Sequence, residues 1–102
     1  MTLSDIDWLA DWYRKQCNDE WEHSYGVSLT TVDNPGWRLE VDLQDTPLEA
    51  VAFVRTEHNV DSDEDWWVCE KQGPKFVAAG GPLNLSDIVR GFRRFVETNE
   101  QK

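Results

Sequence analysis

The period of the hydrophobic pattern changes twice along this chain. Over residues 4–17, Trp8, Leu9, Trp12, Tyr13 and Cys17 recur at helical spacing, which places them on one face of an amphipathic helix. Ser4 stands where an N-cap belongs, Asp7 follows three residues on, and Leu3 is positioned to staple against Trp8. The stripe is therefore assigned to the core. A second helix is predicted from about Ser86 to Glu97, where Leu85, Ile88, Val89, Phe92, Phe95 and Val96 repeat at intervals of three and four. Arg90, Arg93 and Arg94 lie late in it and suit the negative end of the helix dipole. They read as a solvated face or as bridges to acidic strands.

Between the helices the period falls to two. Tyr25, Val27, Leu29 and Thr31 alternate with small or polar residues, and Trp37, Leu39, Val41 and Leu43 alternate with Arg38, Glu40 and Asp42. The connection Asp33-Asn34-Pro35-Gly36 is a turn: Pro35 presets φ, Gly36 accepts positive φ, and Asp33 bonds the backbone ahead. Register follows. Facing Thr31 with Trp37, Leu29 with Leu39, Val27 with Val41 and Tyr25 with Leu43 collects the apolar side chains on one face, and a one-residue slip would scatter them. The loop is then Val32–Gly36, with Trp21, Glu22 and His23 at the start of the first strand. A third strand is predicted over Ala50–Glu57, interior because Val51 to Val54 are apolar on both sides. A fourth spans about Asp65–Lys71 and a short fifth Lys75–Ala79, joined at Gln72-Gly73-Pro74. No segment is long enough to serve as a helical crossover. The fold class is therefore α+β, an antiparallel meander sheet of four to five strands flanked by an N-terminal and a C-terminal helix. No repeat, linker or low-complexity tract divides residues 1–102, so a single domain is expected.

Composition changes the picture in two ways. The 102 residues include six Trp, four Phe and two Tyr, each able to bury roughly 150–250 Å². A chain this long hides roughly two-thirds of its unfolded surface and folds without a staple. The net charge is −10, from 20 Asp and Glu against 10 Lys and Arg. Clustered cations are what phosphate contacts need, so neither a nucleic acid nor an anionic membrane is expected as a partner. The acidity suits a basic protein partner, whose approach it would accelerate. Cys17 and Cys69 form no C-x-x-C pair, Asp5, Asp7 and Asp11 interrupt any signal-like apolar run, and no stretch approaches the ~18–20 residues of a membrane span. A cytoplasmic protein with reduced thiols is the expectation.

Little of the sequence assembles into chemistry. His23 and His58 sit in no ligand cluster. Asp61-Ser62-Asp63-Glu64-Asp65 begins like a calcium loop, but the sixth position is Trp66 where Gly is needed and the twelfth is Gln72 where Glu is needed. The stretch reads instead as an acidic, mobile loop, since Glu57, Asp61, Asp63, Glu64 and Asp65 occur without a Lys or Arg among them. Cys17 and Cys69 read as small buried apolar residues. A thiol-dependent, sulfurtransferase-like enzyme is the alternative class. Glu22 and His23, adjacent on a strand, would point to opposite faces. Gly80-Gly81-Pro82 lacks a phosphate-loop Lys. No catalytic residue, metal or cofactor is therefore assigned. Trp66 and Trp67 are consecutive, so one faces away from the other, and an exposed Trp ringed by Asp63, Glu64 and Asp65 suits an interface anchor.

On Asp19-Glu20-Trp21-Glu22-His23-Ser24-Tyr25-Gly26-Val27, on Asp33-Asn34-Pro35-Gly36-Trp37, and on the later series Trp67, Cys69, Phe76, Gly80, Leu85, Ile88 and Phe92, the chain resembles the immunity protein 53 family of bacterial polymorphic toxin systems. The likeness includes the first helix and spans nearly the whole chain. It implies a small cytoplasmic protein, encoded beside a toxin, that binds the toxin domain and blocks it. No catalytic residues come with it. The expected partner is a cognate toxin domain, with a basic nuclease the case its charge favours, and the expected state is a monomer or weak homodimer. Candidate partner-binding residues are Trp21, Glu22, His23 and Tyr25, the hairpin tip Asp33 and Asn34, and the loop residues Asp61, Asp63, Glu64, Asp65 and Trp66. For Trp21, Glu22 and His23 a buried polar network tying the first helix to the sheet is the competing reading. For Trp66 or Trp67 the competing reading is burial against a twin in an acidic homo-oligomeric module.

Overall fold

A computed structural model describes residues 3–100. Helix α1 (Asp5–Gln16) starts as its sequence predicts: Ser4 Oγ accepts from the Asp7 N–H at 3.2 Å and donates to the Asp7 carboxylate at 2.9 Å. A short helix, α2 (Trp21–Ser24), follows where the sequence suggested only the start of a strand. Local hydrogen bonds explain it. Asn18 Oδ1 accepts from the N–H groups of Glu20 and Trp21, and the Glu22 carboxylate accepts from those of Asn18 and Asp19. Side chains that satisfy the backbone in this way outcompete an extended ladder.

Strands β1 (Val27–Val32) and β2 (Gly36–Asp42) pair antiparallel with Val27 opposite Val41, Leu29 opposite Leu39 and Thr31 opposite Trp37. That is the register the alternation requires. Val32 also pairs with Gly36, so the turn is residues 33–35 and the ladder ends before Tyr25 and Leu43. Gly36 does not adopt positive φ. Its constraint is proximity, because a Cβ there would lie 2.3 Å from Gly80 O on the neighbouring strand.

The remaining elements are β3 (Thr56–His58), β4 (Trp67–Gln72), β5 (Lys75–Gly80) and α3 (Leu85–Glu100). All strand pairs are antiparallel, and the order is β1-β2-β5-β4-β3. The α+β class with flanking helices holds, but the order is not that of a simple meander. Residues 43–55 are the reason. In place of an interior strand they form turns, with Thr46 Oγ1 donating to Leu43 O at 2.7 Å and the Lys71 ammonium donating to the carbonyls of Glu49 and Val51 at 2.6 Å. Phe53 packs against Phe76 and Phe95 at centroid distances of 5.4 and 5.0 Å. The apolar run thus covers the core as a loop, and β3 emerges at the far edge. The centre of the sheet falls to β5, where Phe76, Val77 and Ala78 are all buried.

Both long helices lie on one face of the sheet. Trp8 and Trp12 of α1 meet Phe92 of α3 edge-on at 5.8 and 4.9 Å, above Leu39, Val41, Phe76, Ala78 and Cys69. Each fully buried side chain of this kind stabilises the fold by roughly 1.5–3 kcal/mol. Arg90 and Arg93 bridge between the helices, not to the strands, and Arg94 is exposed. Arg90 and Arg93 reach Asp5 at 3.0 and 3.4 Å, Arg93 also pairs with Glu97 at 3.2 Å, and its guanidinium sits 5.7 Å from the Trp8 ring. By strand alternation the other face carries Ser28, Thr30, Arg38, Glu40, Val68, Glu70, Val77 and Ala79. Among the described residues no long helix covers it.

Candidate functional site

The two consecutive tryptophans part at the start of β4. Trp67 turns toward the helices and stacks on His58 at 5.7 Å. Trp66 and Val68 turn to the open face and line a depression of about 450 Å³ together with Asn34, Arg55, Val60, Ser62 and Asp63. Folding has brought the hairpin tip and the acidic loop, separate in sequence, around one half-buried tryptophan.

Hydrogen bonds hold the acidic loop to its own backbone and to the start of α3. Ser62 Oγ accepts from the N–H groups of Glu64 and Asp65 at 3.3 and 3.2 Å, and Asn59 Nδ2 donates to Asp65 O at 3.0 Å. Asn84, only 3% exposed, ties the loop to the start of α3. Its Nδ2 donates to Asp65 and Asp87 at 2.9 and 2.8 Å, and its Oδ1 accepts from the Trp66 N–H at 3.3 Å. Gly81 permits the approach, since a Cβ there would lie 2.3 Å from Glu64 O. The Asn84 amide beside Asp65 holds that carboxyl below the usual range, with His58 at 3.6 Å adding to the effect. Asp65 is thus committed to structure. Asp61, Asp63 and Glu64 are exposed and form no ion pair among the described residues. Sequence reasoning missed Asn84, although an Asn before the periodic run with Asp87 three residues later is an N-terminus signature.

Cations on the open face are matched locally: Arg38 with Glu40 at 3.2 Å, Lys75 with Glu40 and Asp42 at 3.8 and 3.9 Å, and Arg55 with Glu57. The unbalanced negative charge beside Trp66 belongs to the loop, whose Asp63 lines the depression.

The other predicted group lies at the opposite end of β1, roughly 20 Å away at about 3.3 Å per strand residue. Trp21 is 4% exposed and belongs to the core, against Trp12, Tyr13 and Tyr25, with its Nε1 donating to Gln44 O at 2.9 Å. It presents almost no free surface and packs as part of the aromatic core, not within a buried polar network. Backbone N–H groups, its own first and then those of Asn18 and Asp19, hold the Glu22 carboxyl below the usual range. Tyr25 is half-buried, and His23 is exposed.

Of the two thiols expected in the core, Cys69 lies there and Cys17 is only half-buried, at the end of α1. Cys69 is fully buried, and burial pushes its thiol up to about 11. Cys17 donates to Tyr13 O at 3.3 Å. Cys69 thus lacks the accessible electropositive setting that activates a thiolate. Among the described residues no cluster of three or more His, Cys, Asp or Glu is arranged to hold a metal, and no helix is long and apolar enough to cross a membrane. A further groove of about 390 Å³ runs between α1, the end of α3 and residues 46–51. Its rim carboxylate Asp11 is paired with Arg14 and Lys15 at 2.9 and 3.2 Å.

No curated protein and no solved structure matches the chain. The family model described as immunity protein 53 matches residues 6–97, most of the chain, with all but the first residue of α1, the whole sheet and most of α3 inside the match, and the chain therefore belongs to the immunity protein 53 family.

Proposed function

We propose that the chain is a non-enzymatic immunity protein that acts in the cytoplasm by binding a cognate toxin domain and blocking it. The observation that carries the choice of surface is the depression on the open face, where Trp66 lies between Asn34 of the hairpin tip and the unpaired Asp63 of the acidic loop. A tryptophan seated in a pocket and rimmed by polar groups supplies the desolvated centre on which interface energy concentrates. The net charge of −10 would speed encounter with a basic domain and disfavour acidic ones. A basic nuclease is the toxin class this field suits best.

Co-expression with a candidate toxin domain drawn from a neighbouring reading frame tests the function, and rescue of growth is the expected result. For the surface, Trp66→Ala and Asp63→Lys should each weaken affinity for that domain about 30-fold or more, equivalent to about 2 kcal/mol, with the circular dichroism spectrum retained. Unchanged affinity in both folded variants would reject this face while leaving the function in place.

A further inference from the structure

The two edges of the sheet are treated differently by the sequence. Edge strand β3 has three residues and is guarded by charge, through Glu57 paired with Arg55 and His58 paired with Asp65. Edge strand β1 has six, Val27-Ser28-Leu29-Thr30-Thr31-Val32, with no charged residue, Pro or Gly. Proteins ordinarily block an edge of this kind with lysines, prolines, bulges or a covering segment.

Which backbone groups of β1 are free follows from the ladder. Asp42 N–H donates to Gly26 O at 3.0 Å, so the hydrogen-bonded pairs run Gly26 with Asp42, Ser28 with Glu40, Thr30 with Arg38 and Val32 with Gly36. Leu43 N–H donating to Pro74 O at 2.7 Å gives the matching phase on the other side of β2. The N–H and C=O groups of Val27, Leu29 and Thr31 therefore point away from the sheet. No hydrogen bond among the described residues satisfies them outside the ladder. The Leu29 side chain is 37% exposed beside them.

We propose that β1 is a docking edge that takes an extended segment of a cationic protein as a sixth strand. On the reading above, that protein is the toxin domain. A row of backbone donors and acceptors at strand spacing recognises extended polypeptide and little else. Charge selects the occupant. From Gln16 through Trp37 the chain has no Lys or Arg, while Asp19, Glu20, Glu22 and Asp33 lie in that span. A second copy would bring a further charge of −10 to the same place, whereas a basic segment meets complementary charge.

Amide hydrogen exchange on the unmodified chain tests this, with and without the toxin domain whose co-expression the chain neutralises. In the free chain Val27, Leu29 and Thr31 should exchange fast while Ser28, Thr30 and Val32 are protected. Saturation with that domain should slow the three outward amides at least tenfold. Leu29→Pro removes one outward donor and no ladder bond, and should bind at least tenfold more weakly than Leu29→Ala, which loses side chain alone. If the domain binds but the outward amides stay fast and the two variants bind alike, the edge proposal is overturned and the immunity reading stands. Absence of any binding by the unmodified chain overturns both. Protection that appears without the domain, together with a dimer mass rising with concentration, makes a second copy the occupant and overturns the proposal.

Discussion

Replacing Gly91 with alanine measures how closely α3 lies on the sheet. In an exposed helix interior the change should stabilise by about 1 kcal/mol, because glycine is the weaker helix former. Here the added Cβ would lie 2.6 Å from Cys69 Sγ, about 1 Å inside ordinary non-bonded contact of ~3.5–4.0 Å. Cys69 is fully buried on a strand paired on both sides, so its sulfur has little room to move. Overpacking of this kind costs about 1–3 kcal/mol, which leaves Gly91→Ala less stable by about 0–2 kcal/mol after the propensity gain.

The partner change is Cys69→Ala, which vacates the position of the sulfur. Alone it should destabilise by about 1 kcal/mol, as a methyl-sized void does. Combined with Gly91→Ala, the new methyl fills the void and the helix gains its propensity. The double variant should match the unmodified chain within about 0.5 kcal/mol, a favourable coupling of about 1–3 kcal/mol. Urea unfolding at constant m measures all four proteins. Additivity of the two changes within about 0.5 kcal/mol would refute the claimed contact between α3 and β4.

Asn84→Ala should destabilise by about 1–2 kcal/mol, since it strands the Trp66 N–H and removes donors from Asp65 and Asp87. Asn84→Asp should not rescue it at neutral pH, because a third carboxylate would face those two, and thermal melts would show both effects. Gly36→Ala sets a Cβ 2.3 Å from the Gly80 carbonyl, backbone against backbone. It should separate β2 from β5 and cost more than about 2 kcal/mol, read as a lower unfolding midpoint. Asp65 has a depressed folded value, so its contribution is fully present above the unfolded value near 3.9 and is lost as pH falls through the folded one. Asp65→Asn should therefore lower the unfolding midpoint at pH 7 and cease to matter at the acid end of a pH series.

Local periodicity determined a great deal of this protein. The spans of α1 and α3, the pairing of β1 with β2 and the opposite facing of Trp66 and Trp67 follow from which residues are apolar at which spacing, because a one-residue slip inverts every side chain of a strand. Net charge is likewise a property of the sequence. The strand order, the position of β3 and the conversion of residues 43–55 into a loop were decided by contacts across the molecule: Phe53 between Phe76 and Phe95, and Lys71 on the carbonyls of Glu49 and Val51. An apolar run suits an interior strand and a core-covering loop equally, so its spacing does not distinguish them. The candidate site divides in the same way. Acidic residues, hairpin tip and a tryptophan were legible one by one, whereas Trp21 proved to be core and Asn84 drew the loop to α3. Whether Asn34 and Asp63 share one depression depends on β5 lying between β2 and β4, and long-range burial selects that arrangement where neighbouring residues do not.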